Sequence, residues 1–554
     1  MFDDLELNVV TYTLLALVLG LMILPVIFQK DPDIHPMILN RQSHVSPVRN
    51  PKESAVHRST LSPPGHPLAS GLGLPTDQKY RTRDGDIRDV WSQAVKEGKG
   101  KVLSVKGSEI NEFDIGRFPV RRDQLTQNIH SLGSYIKSIP GAKRIAIYLA
   151  NDIENLVASF ACAFYDLTLI VLPFDPTSSP DVASLLRRSK ADVLIAPAGD
   201  LALNDVDGAK NIKEIIYVVE PGSQHLDWTS PNGGVKTSVY HDVIKAAVTG
   251  AGNVDLDGPA VIVFGPKYIG EERRIEMAEF NHKQVIAGVA STIASIRPSP
   301  ETFKPEDIFV PVDTLSDIYT RIFTYAALAS GATVALNPIA GTHADLELCV
   351  KRVRPTVIVA STPTLAHTAA VTAGSRMEIW HNILHYFQCR TLESGRIPKG
   401  NALIRLNDYT RPNVGEPSRL RLVFSAERAG DLGSHPLNSE DLNDLRAYLG
   451  SKVVYGLKHH MVAGPINQQH VYDYRVQPQT PKPSKKKEIP RKCAHFGGVT
   501  PGCEVFTRDW EIFRASNAGG SRGEIVVRGP TVIGGEVPLG VVGKWWPDGV
   551  LSYV

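Results

Sequence analysis

The sequence has few cysteines and almost no net charge, and both features exclude classes of protein. Its 554 residues contain five cysteines, which are an odd number and never form a Cys-x-x-Cys pair. A disulfide scaffold and a four-cysteine zinc module are therefore excluded, and the thiols fit a reducing compartment. Lys and Arg number 60 against 58 Asp and Glu, a net charge of +2, so no global field attracts nucleic acid. Hydrophobic residues make up 42% of the chain, which excludes wholesale disorder.

One long uncharged run lies near the N-terminus, from Val9 to Phe28. As a helix, its 20 residues would be about 30 Å long, the thickness of a hydrocarbon core. Acidic residues precede the run, whereas Lys30, Arg41 and Arg49 follow it. The positive-inside rule therefore predicts an uncleaved anchor in residues 1–30, inserted in a lipid bilayer, with the rest of the chain in the cytosol.

The remaining chain changes character along its length. Residues 31–109 are rich in Pro and Ser, and we expect an extended lead-in that lacks regular structure. From residue 110 to 494, buried strands alternate with helices, which is typical of an α/β fold with parallel sheets. The predicted strands are 144–150, 167–174, 192–198, 332–338, 356–362 and 420–426, and the predicted helices are 151–166, 181–191, 318–331 and 346–355. Short strands and glycine turns over 495–554 predict a small β-rich subdomain.

Several strings in this order resemble those of the adenylate-forming (AMP-binding) superfamily. They are RIAIYLANDIENLVASF, FVPVDTLSDIYTRIF, RPTVIVASTPTL, LRLVFSAERAG, VVYGL and GEIVVRGPTVIGG. The chain looks most like the large N-terminal domain of long-chain acyl-CoA synthetases. This resemblance implies an α/β fold of two Rossmann-like parallel-sheet subdomains and a small β-rich subdomain, without the family's C-terminal lid domain. It also implies the family's chemistry, in which a carboxylate and MgATP form an acyl-adenylate and coenzyme A displaces AMP.

The phosphate-binding loop of that family is altered here. Its pattern Ser-Gly-Thr-Thr-Gly-x-Pro-Lys-Gly corresponds to FGPKYIGEERRIEM, which has no hydroxyl cluster. Glu271 and Glu272 stand where phosphate would bind, and two carboxylates beside a triphosphate are repulsive. The glycines and cations that could still form a vestigial nucleotide pocket are Gly265, Lys267, Gly270, Arg273 and Arg274.

The other nucleotide motifs are altered too. The family's Tyr-Gly-x-Thr-Glu becomes Tyr455-Gly456-Leu457-Lys458-His459, so the carboxylate for Mg²⁺ is replaced by an imidazole. Ser425 begins the segment that would line the adenine, and the ribose carboxylate becomes Val550, unless a shifted register assigns that role to Asp548. We expect no metal at this site, no catalytic residue, and His459 and His460 as ordinary surface or loop residues.

Other features indicate surfaces rather than chemistry. His381 and His385 lie four residues apart but lack the acidic residue of a zinc-protease helix, so we predict no zinc site. Trp545 and Trp546 are expected to contact a partner or to be covered by the chain's own lead-in. The basic loop 480–492, with six cations between Lys482 and Lys492, is either a solvated loop or a site for an anionic partner; without interleaved aromatics it predicts no specific nucleic acid.

Together these features favour a membrane-anchored pseudoenzyme. Because the phosphate loop, the metal carboxylate, the ribose carboxylate and the lid domain are all altered or missing, we expect a scaffold or a lipid- or partner-binding module within a membrane-protein complex, with no cofactor. The alternative is an active long-chain fatty acid–CoA ligase, completed by a partner and using ATP, Mg²⁺ and coenzyme A. The endoplasmic reticulum is the first expected location and the mitochondrial outer membrane the second.

Overall fold

The computed structural model describes most of the chain outside its first 30 residues. The described residues are 12–16, 31–72, 85–116, 123–174, 181–199, 211–219, 235–245, 253–269, 272–296, 301–374, 379–398, 411–415, 419–431, 434, 436–476, 494–515 and 521–554. The predicted anchor therefore lies outside the described residues except for 12–16, which are helical, and the basic loop 480–492 lies entirely outside them. Across these ranges, we find no helix with the length and apolarity that a bilayer crossing needs.

The strands and helices are numbered here in chain order over the described residues. The strands are β1 Ser43–Val48, β2 Ala55–Ser59, β3 Lys101–Lys106, β4 Glu109–Asp114, β5 Arg144–Ile147, β6 Thr168–Val171, β7 Val193–Pro197, β8 Glu214–Val218, β9 Lys236–Val239, β10 Pro259–Ile269, β11 Glu272–Asn281, β12 Ile308–Pro311, β13 Thr333–Leu336, β14 Val357–Val359, β15 Leu422–Arg428, β16 Lys452–Lys458, β17 Asn467–Gln468, β18 Gly498–Val499, β19 Glu504–Arg508, β20 Arg522–Arg528, β21 Glu536–Trp545 and β22 Leu551–Tyr553. The helices are α1 Pro36–Leu39, α2 Arg88–Glu97, α3 Gln124–Ser138, α4 Ile153–Phe164, α5 Val182–Ser189, α6 Tyr240–Val243, α7 His282–Ile296, α8 Ile318–Ala329, α9 Leu346–Val350, α10 Thr362–Gly374, α11 Ile379–Glu393 and α12 Ser439–Leu449.

Among the described residues, the strands form three sheets. The first has the order β11-β10-β6-β5-β7-β8-β9 and is parallel except at its β10–β11 edge. The second has the order β18-β17-β16-β15-β14-β12-β13-β3-β4, with parallel pairing from β16 to β3. Helices α4, α7 and α8 contribute to one apolar core together with inward-facing residues of both sheets. The expected α/β architecture is therefore confirmed, and each predicted strand and helix of the α/β part overlaps one that forms.

The third sheet corrects the expectation for the lead-in. Its order is β1-β2-β19-β20-β21-β22, so two strands from residues 43–59 join four strands from the end of the chain. Strand β2 pairs with β19 at Arg58–Glu504 and His57–Val505. Strand β1 lies at the sheet edge, where Pro47 is tolerated because that position needs no ladder hydrogen bond. The lead-in is thus partly regular, because distant strands supply the hydrogen-bond partners that its composition does not reveal.

The same sheet shows what covers Trp545. Its ring stacks on His57 of β2, with centroids 3.6 Å apart and planes at 2° to each other. Trp545 is consequently only 5% exposed. Trp546 is half-buried, and its Nε1–H donates to Ser552 Oγ at 2.8 Å. The lead-in therefore covers Trp545, as one of the two sequence-based alternatives predicts.

Candidate nucleotide site

The segment that corresponds to the phosphate loop forms a long β-hairpin, β10–β11. The strands are antiparallel, with Gly265 opposite Glu276 and Lys267 opposite Arg274. A Cβ at Gly265 would overlap the Cβ and Cγ of His460, so only glycine fits where the hairpin contacts this histidine. Gly270 lies outside the described residues. The hairpin thus packs directly on the turn that follows β16.

The cations of this hairpin contact the chain's own carboxylates. Lys267 Nζ donates to Glu276 Oε1 at 2.6 Å, and Glu276 Oε2 lies 3.0 Å from His460 Nε2. Arg274 is exposed and donates to Glu272 Oε2 at 2.8 Å. Arg273 lies next to it on the exposed part of β11. Of the cations proposed for phosphate binding, Lys267 is therefore linked to the body of the protein, whereas Arg273 and Arg274 are at the surface.

Strands β15 and β16 place the remaining predicted residues side by side. Ser425 is the register partner of Tyr455, and Ala426 is the partner of Gly456. The Tyr455 hydroxyl donates to Glu427 Oε2 at 3.0 Å, and the Glu427 side chain is buried. This carboxyl is therefore engaged by a residue of the chain itself. Burial raises the pKa of Glu427, and its hydrogen bonds only partly oppose this effect. A Cβ at Gly456 of β16 would lie only 2.6 Å from the carbonyl oxygen of Asn467 in β17. Only glycine therefore allows β17 to approach β16 this closely.

At the carboxyl end of β16, Lys458, Asp313, Asp317 and Arg428 form what we call the buried ion-pair cluster, in which only the Arg428 side chain, at 28%, is substantially exposed. Lys458 Nζ lies 3.2 Å from Asp313 Oδ2 and 2.8 Å from Asp317 Oδ2, and Arg428 donates to Asp317 Oδ2 at 2.6 Å. The side chains of Lys458, Asp313 and Asp317 are at most 8% exposed. The Asp317 carboxylate also caps α8 by accepting from Tyr319 N–H at 3.0 Å. Each carboxylate of the cluster is therefore paired with a cation of this chain.

The electrostatics of the buried ion-pair cluster favour the ionised state of its members. Burial alone would raise the pKa of Asp317, but Lys458 and Arg428 outweigh it and hold the pKa well below its usual range. Burial alone would lower the pKa of Lys458, but Asp317 and Asp313 outweigh it, so the pKa is raised. The Asp317 carboxylate and the Lys458 ammonium are thus both charged at neutral pH.

The two histidines after Lys458 differ from their sequence-based description. His460 lies in the turn after β16, as the expectation of a surface or loop residue allows, but it is only 6% exposed, because it packs against Gly265 and pairs with Glu276. Burial lowers the pKa of His459 well below its ordinary value and also lowers the pKa of His460, where Glu276 opposes the effect. Both imidazoles are therefore neutral at pH 7.

The two residues that the sequence aligns with the family's ribose carboxylate, Val550 and Asp548, lie in one turn and contact the protein itself. Val550 is 2% exposed in the turn between β21 and β22. Asp548, the carboxylate of the alternative register, lies 2.9 Å from Arg475, and its backbone carbonyl accepts from Gln42 N–H at 2.8 Å. Both residues of this turn are thus engaged within the protein.

Sequence patterns do not point to Asp313, Asp317, Arg428 or Glu276 as members of the site. The available signal is Lys458, since a lysine within a buried strand is rare unless a carboxylate neutralises it. Its partners lie about 140 residues earlier in VDTLSD, and nothing local links the two segments. Ser425, Tyr455 and Gly456 lie on the same two strands as Arg428 and Lys458. Gly265 contacts His460 in the turn after β16, and Lys267 is linked to that histidine through Glu276. Arg273 and Arg274 are exposed.

Solved adenylate-forming ligases have a similar fold. The chain matches an anthranilate CoA ligase, AuaEII, in complex with anthranoyl-AMP, with a TM-score of 0.59 and 12% identity over 85% of this chain and 77% of that one. A benzoate CoA ligase from Burkholderia xenovorans LB400 gives a TM-score of 0.56 and 14% identity over 85% and 79%. The N-terminal domain of FACL13 from Mycobacterium tuberculosis gives 0.54 and 13% over 85% of this chain and 100% of that one. At these identities the likeness concerns the fold.

The sequence itself matches the family described as AMP-binding enzyme over residues 278–535. This region is similar to AMP-binding enzymes. The resemblance to the AMP-binding superfamily that the sequence motifs indicate is therefore confirmed at the level of the superfamily. A curated relative, the uncharacterized protein YHR045W of Saccharomyces cerevisiae (strain ATCC 204508 / S288c), is 40% identical over 139 residues. That alignment spans 23% of this chain and 24% of the yeast protein, about a quarter of its length.

Proposed function

We propose that this chain is a non-catalytic member of the AMP-binding fold, anchored to a membrane and acting as a scaffold or a lipid- or partner-binding module. The observation that carries the proposal is the buried ion-pair cluster. The motif position that serves Mg²⁺ in the family holds the ammonium of Lys458 and the neutral ring of His459. Neither group is a ligand for a hard cation, which requires oxygen donors.

The neighbouring carboxylates do not replace the lost ligand. Asp313 and Asp317 could supply oxygens, but binding a second cation there would require displacement of Lys458 from a buried position. Such a displacement leaves a buried charge without its partner, which is costly. The residues present therefore do not fit MgATP, and we derive no adenylation step from them.

The test is pyrophosphate exchange with ATP and a panel of fatty acids, on the full chain in detergent, with an active acyl-CoA synthetase in parallel. We expect no acyl-dependent exchange above background. Exchange at a rate comparable to the active enzyme would refute the proposal and support the rival, a long-chain fatty acid–CoA ligase. In that case Arg273→Ala with Arg274→Ala should reduce exchange, because the rival assigns phosphate contacts to these arginines.

The contacts of Asp33 identify the part of the folded body that would lie near the proposed anchor. Asp33 N–H donates to the Gly395 carbonyl at 2.9 Å, and Asp33 Oδ2 accepts from Ile397 N–H at 2.9 Å. The Tyr474 hydroxyl donates to the same oxygen at 3.3 Å. Asp33 follows Phe28 by five residues, which can span at most about 17 Å. If the segment 9–28 crosses a bilayer, the end of α11 lies within that distance of it.

Helix α11 has an exposed face suited to such a position. Ile379, Trp380, Ile383, Tyr386 and Phe387 are all exposed, with Ile379 at 75% and Trp380 at 73%. The opposite face, with His381, Gln388 and Leu392, is buried against the body. An amphipathic helix that presents aromatic and aliphatic side chains beside an anchor is suited to the headgroup region of a bilayer. We therefore propose that α11 lies on the membrane surface.

A photocrosslinking amino acid placed at Phe387 tests this position in native membranes. We expect adducts with lipid from position 387 and none from Leu348, a control on α9 that is 56% exposed. Equal lipid labelling at both positions, or labelling at neither, would refute the contact of α11 with lipid. Protease treatment of intact microsomes tests the orientation, since a cytosolic body on the endoplasmic reticulum is digested and a lumenal one is protected.

A further inference from the structure

A second cluster of chemically active side chains joins α11 to α12, outside the candidate nucleotide site. His385 and Cys389 lie four residues apart on α11 and so share one face, and Asp444 reaches them from α12. His385 Nε2 lies 2.8 Å from Asp444 Oδ1, and Cys389 Sγ lies 3.5 Å from each of these two atoms. Three potential metal ligands of different chemistry therefore converge on one point.

The two separations that involve the sulfur match those of a tetrahedral zinc site. Zinc binds sulfur at about 2.3 Å, imidazole nitrogen at about 2.0 Å and carboxylate oxygen at about 2.1 Å. In a tetrahedron these bond lengths place the sulfur about 3.5 Å from the nitrogen and from the oxygen. Both observed sulfur distances are 3.5 Å. The nitrogen and oxygen are closer, at 2.8 Å, because a hydrogen bond joins them, and an ion that replaces this proton would move them apart.

The charge and the access of the cluster also suit a divalent ion. A thiolate and a carboxylate supply two negative charges, and a mixed sulfur, nitrogen and oxygen donor set favours zinc over magnesium or calcium. The side chain of His385 is 15% exposed and that of Asp444 is 38% exposed, so an ion can enter from solvent. The ring of His385 stacks on Tyr448, with centroids 4.8 Å apart, which fixes the direction of Nε2.

We propose that His385, Cys389 and Asp444 bind Zn²⁺, with water in the fourth position. The ion would tie α11 to α12. This proposal departs from the sequence-based expectation of no zinc site at His381 and His385, because the proposed ligand pair is His385 with Cys389, one helical turn further along. This proposal stands on its own geometry and holds whether or not α11 contacts a membrane.

The test uses the full chain in detergent, stripped with a chelator and titrated with Co²⁺ and then with Zn²⁺. We expect one equivalent of Co²⁺ with the visible bands of tetrahedral cobalt and a thiolate charge-transfer band, and displacement of both by Zn²⁺. Cys389→Ser should abolish the charge-transfer band. His385→Gln and Asp444→Asn should each weaken Zn²⁺ affinity at least tenfold, about the loss seen when the surroundings of a zinc ligand are altered.

Matched controls come from the same elements. Glu440→Gln removes a carboxylate from α12 one turn before Asp444, and Cys349→Ser removes a thiol from α9; neither should change the titration. A hydrogen-bonded cluster without metal would give no tetrahedral cobalt spectrum, and that result would overturn the proposal. A spectrum that persists in Cys389→Ser would overturn it as well. Asp444→Asn preserves size and shape, so the test remains decisive if another variant fails to fold.

Discussion

Replacement of Lys458 by methionine should destabilise the protein strongly. The side chain is 8% exposed, and its ammonium neutralises Asp313 and Asp317, which are 3% and 7% exposed. Asp317 keeps Arg428 as a partner, whereas Asp313 has no second salt bridge among the described residues. Removal of one partner from a buried ion pair costs about 3–5 kcal/mol. We expect a loss of that size in the free energy of unfolding at pH 7.

The loss should depend on pH with a definite sign. The pKa of Asp317 in the folded protein lies below its unfolded value, so this group contributes stability above about pH 4, and the contribution is lost as the pH falls through the folded pKa. Lys458→Met removes part of that contribution. The gap between wild type and variant should therefore be widest at neutral pH and should narrow as the pH falls below about 4, toward the folded pKa of Asp317.

Urea unfolding of the full chain, followed by tryptophan fluorescence, measures the loss in the free energy of unfolding at pH 7 and its dependence on pH. Lys267→Met is the control, because its side chain is 51% exposed and its pair with Glu276 should contribute less than about 1 kcal/mol. The double variant Lys458→Met with Asp313→Asn should be more stable than Lys458→Met alone, since it removes the carboxylate left without a cation. A loss below about 1 kcal/mol for Lys458→Met, or a double variant with additive losses, would refute the reasoning.

Three further outcomes follow from the packing. Gly265→Ala should cost about 1–3 kcal/mol in urea unfolding, because its Cβ overlaps His460, whereas Gly341→Ala has no heavy atom within 4 Å of its Cβ and should change little. Trp545→Ala should cost about 3–5 kcal/mol, and equal stability would mean that the third sheet does not depend on this ring. Burial lowers the pKa of His57 to about 3, so wild type should lose stability as the pH falls from about 6.5 toward 3; His57→Phe keeps the stacking and should lose less, as measured by thermal unfolding across that range.

The α/β part of the fold could be predicted because its signals are local. Strand β6 and helix α4 each lie within a predicted segment, since a buried parallel strand is a short apolar run and a helix between strands has its own period. The third sheet could not be predicted, because β2 depends on hydrogen bonds to β19, more than 400 residues away. Local composition carries no information about such a partner.

The candidate site likewise contains residues that the sequence predicts and residues that it does not. The family motifs placed Ser425, Tyr455 and Gly456 on adjacent strands, because these residues belong to the backbone framework of the fold. The buried ion-pair cluster was not predicted. Lys458 Nζ and Asp313 Oδ2 lie 3.2 Å apart in the fold, but no pattern in the intervening sequence indicates that these two residues meet. Of the proposed zinc ligands, His385 and Cys389 have a helical spacing that can be recognised in the sequence. Asp444 lies on another helix, and its proximity to them cannot be recognised from the sequence.

The pairing of β2 with β19 also constrains how the protein is made. Val505 follows its partner His57 by 448 residues, so β2 emerges from the ribosome long before β19 exists. At about 5–20 residues per second, roughly 20 to 90 seconds of translation separate the two. During that interval the unpaired edge of β2 and the surface that later receives Trp545 are open to other chains. A chaperone that binds extended segments should therefore be found on nascent chains of this protein and should leave when β19 to β22 are complete.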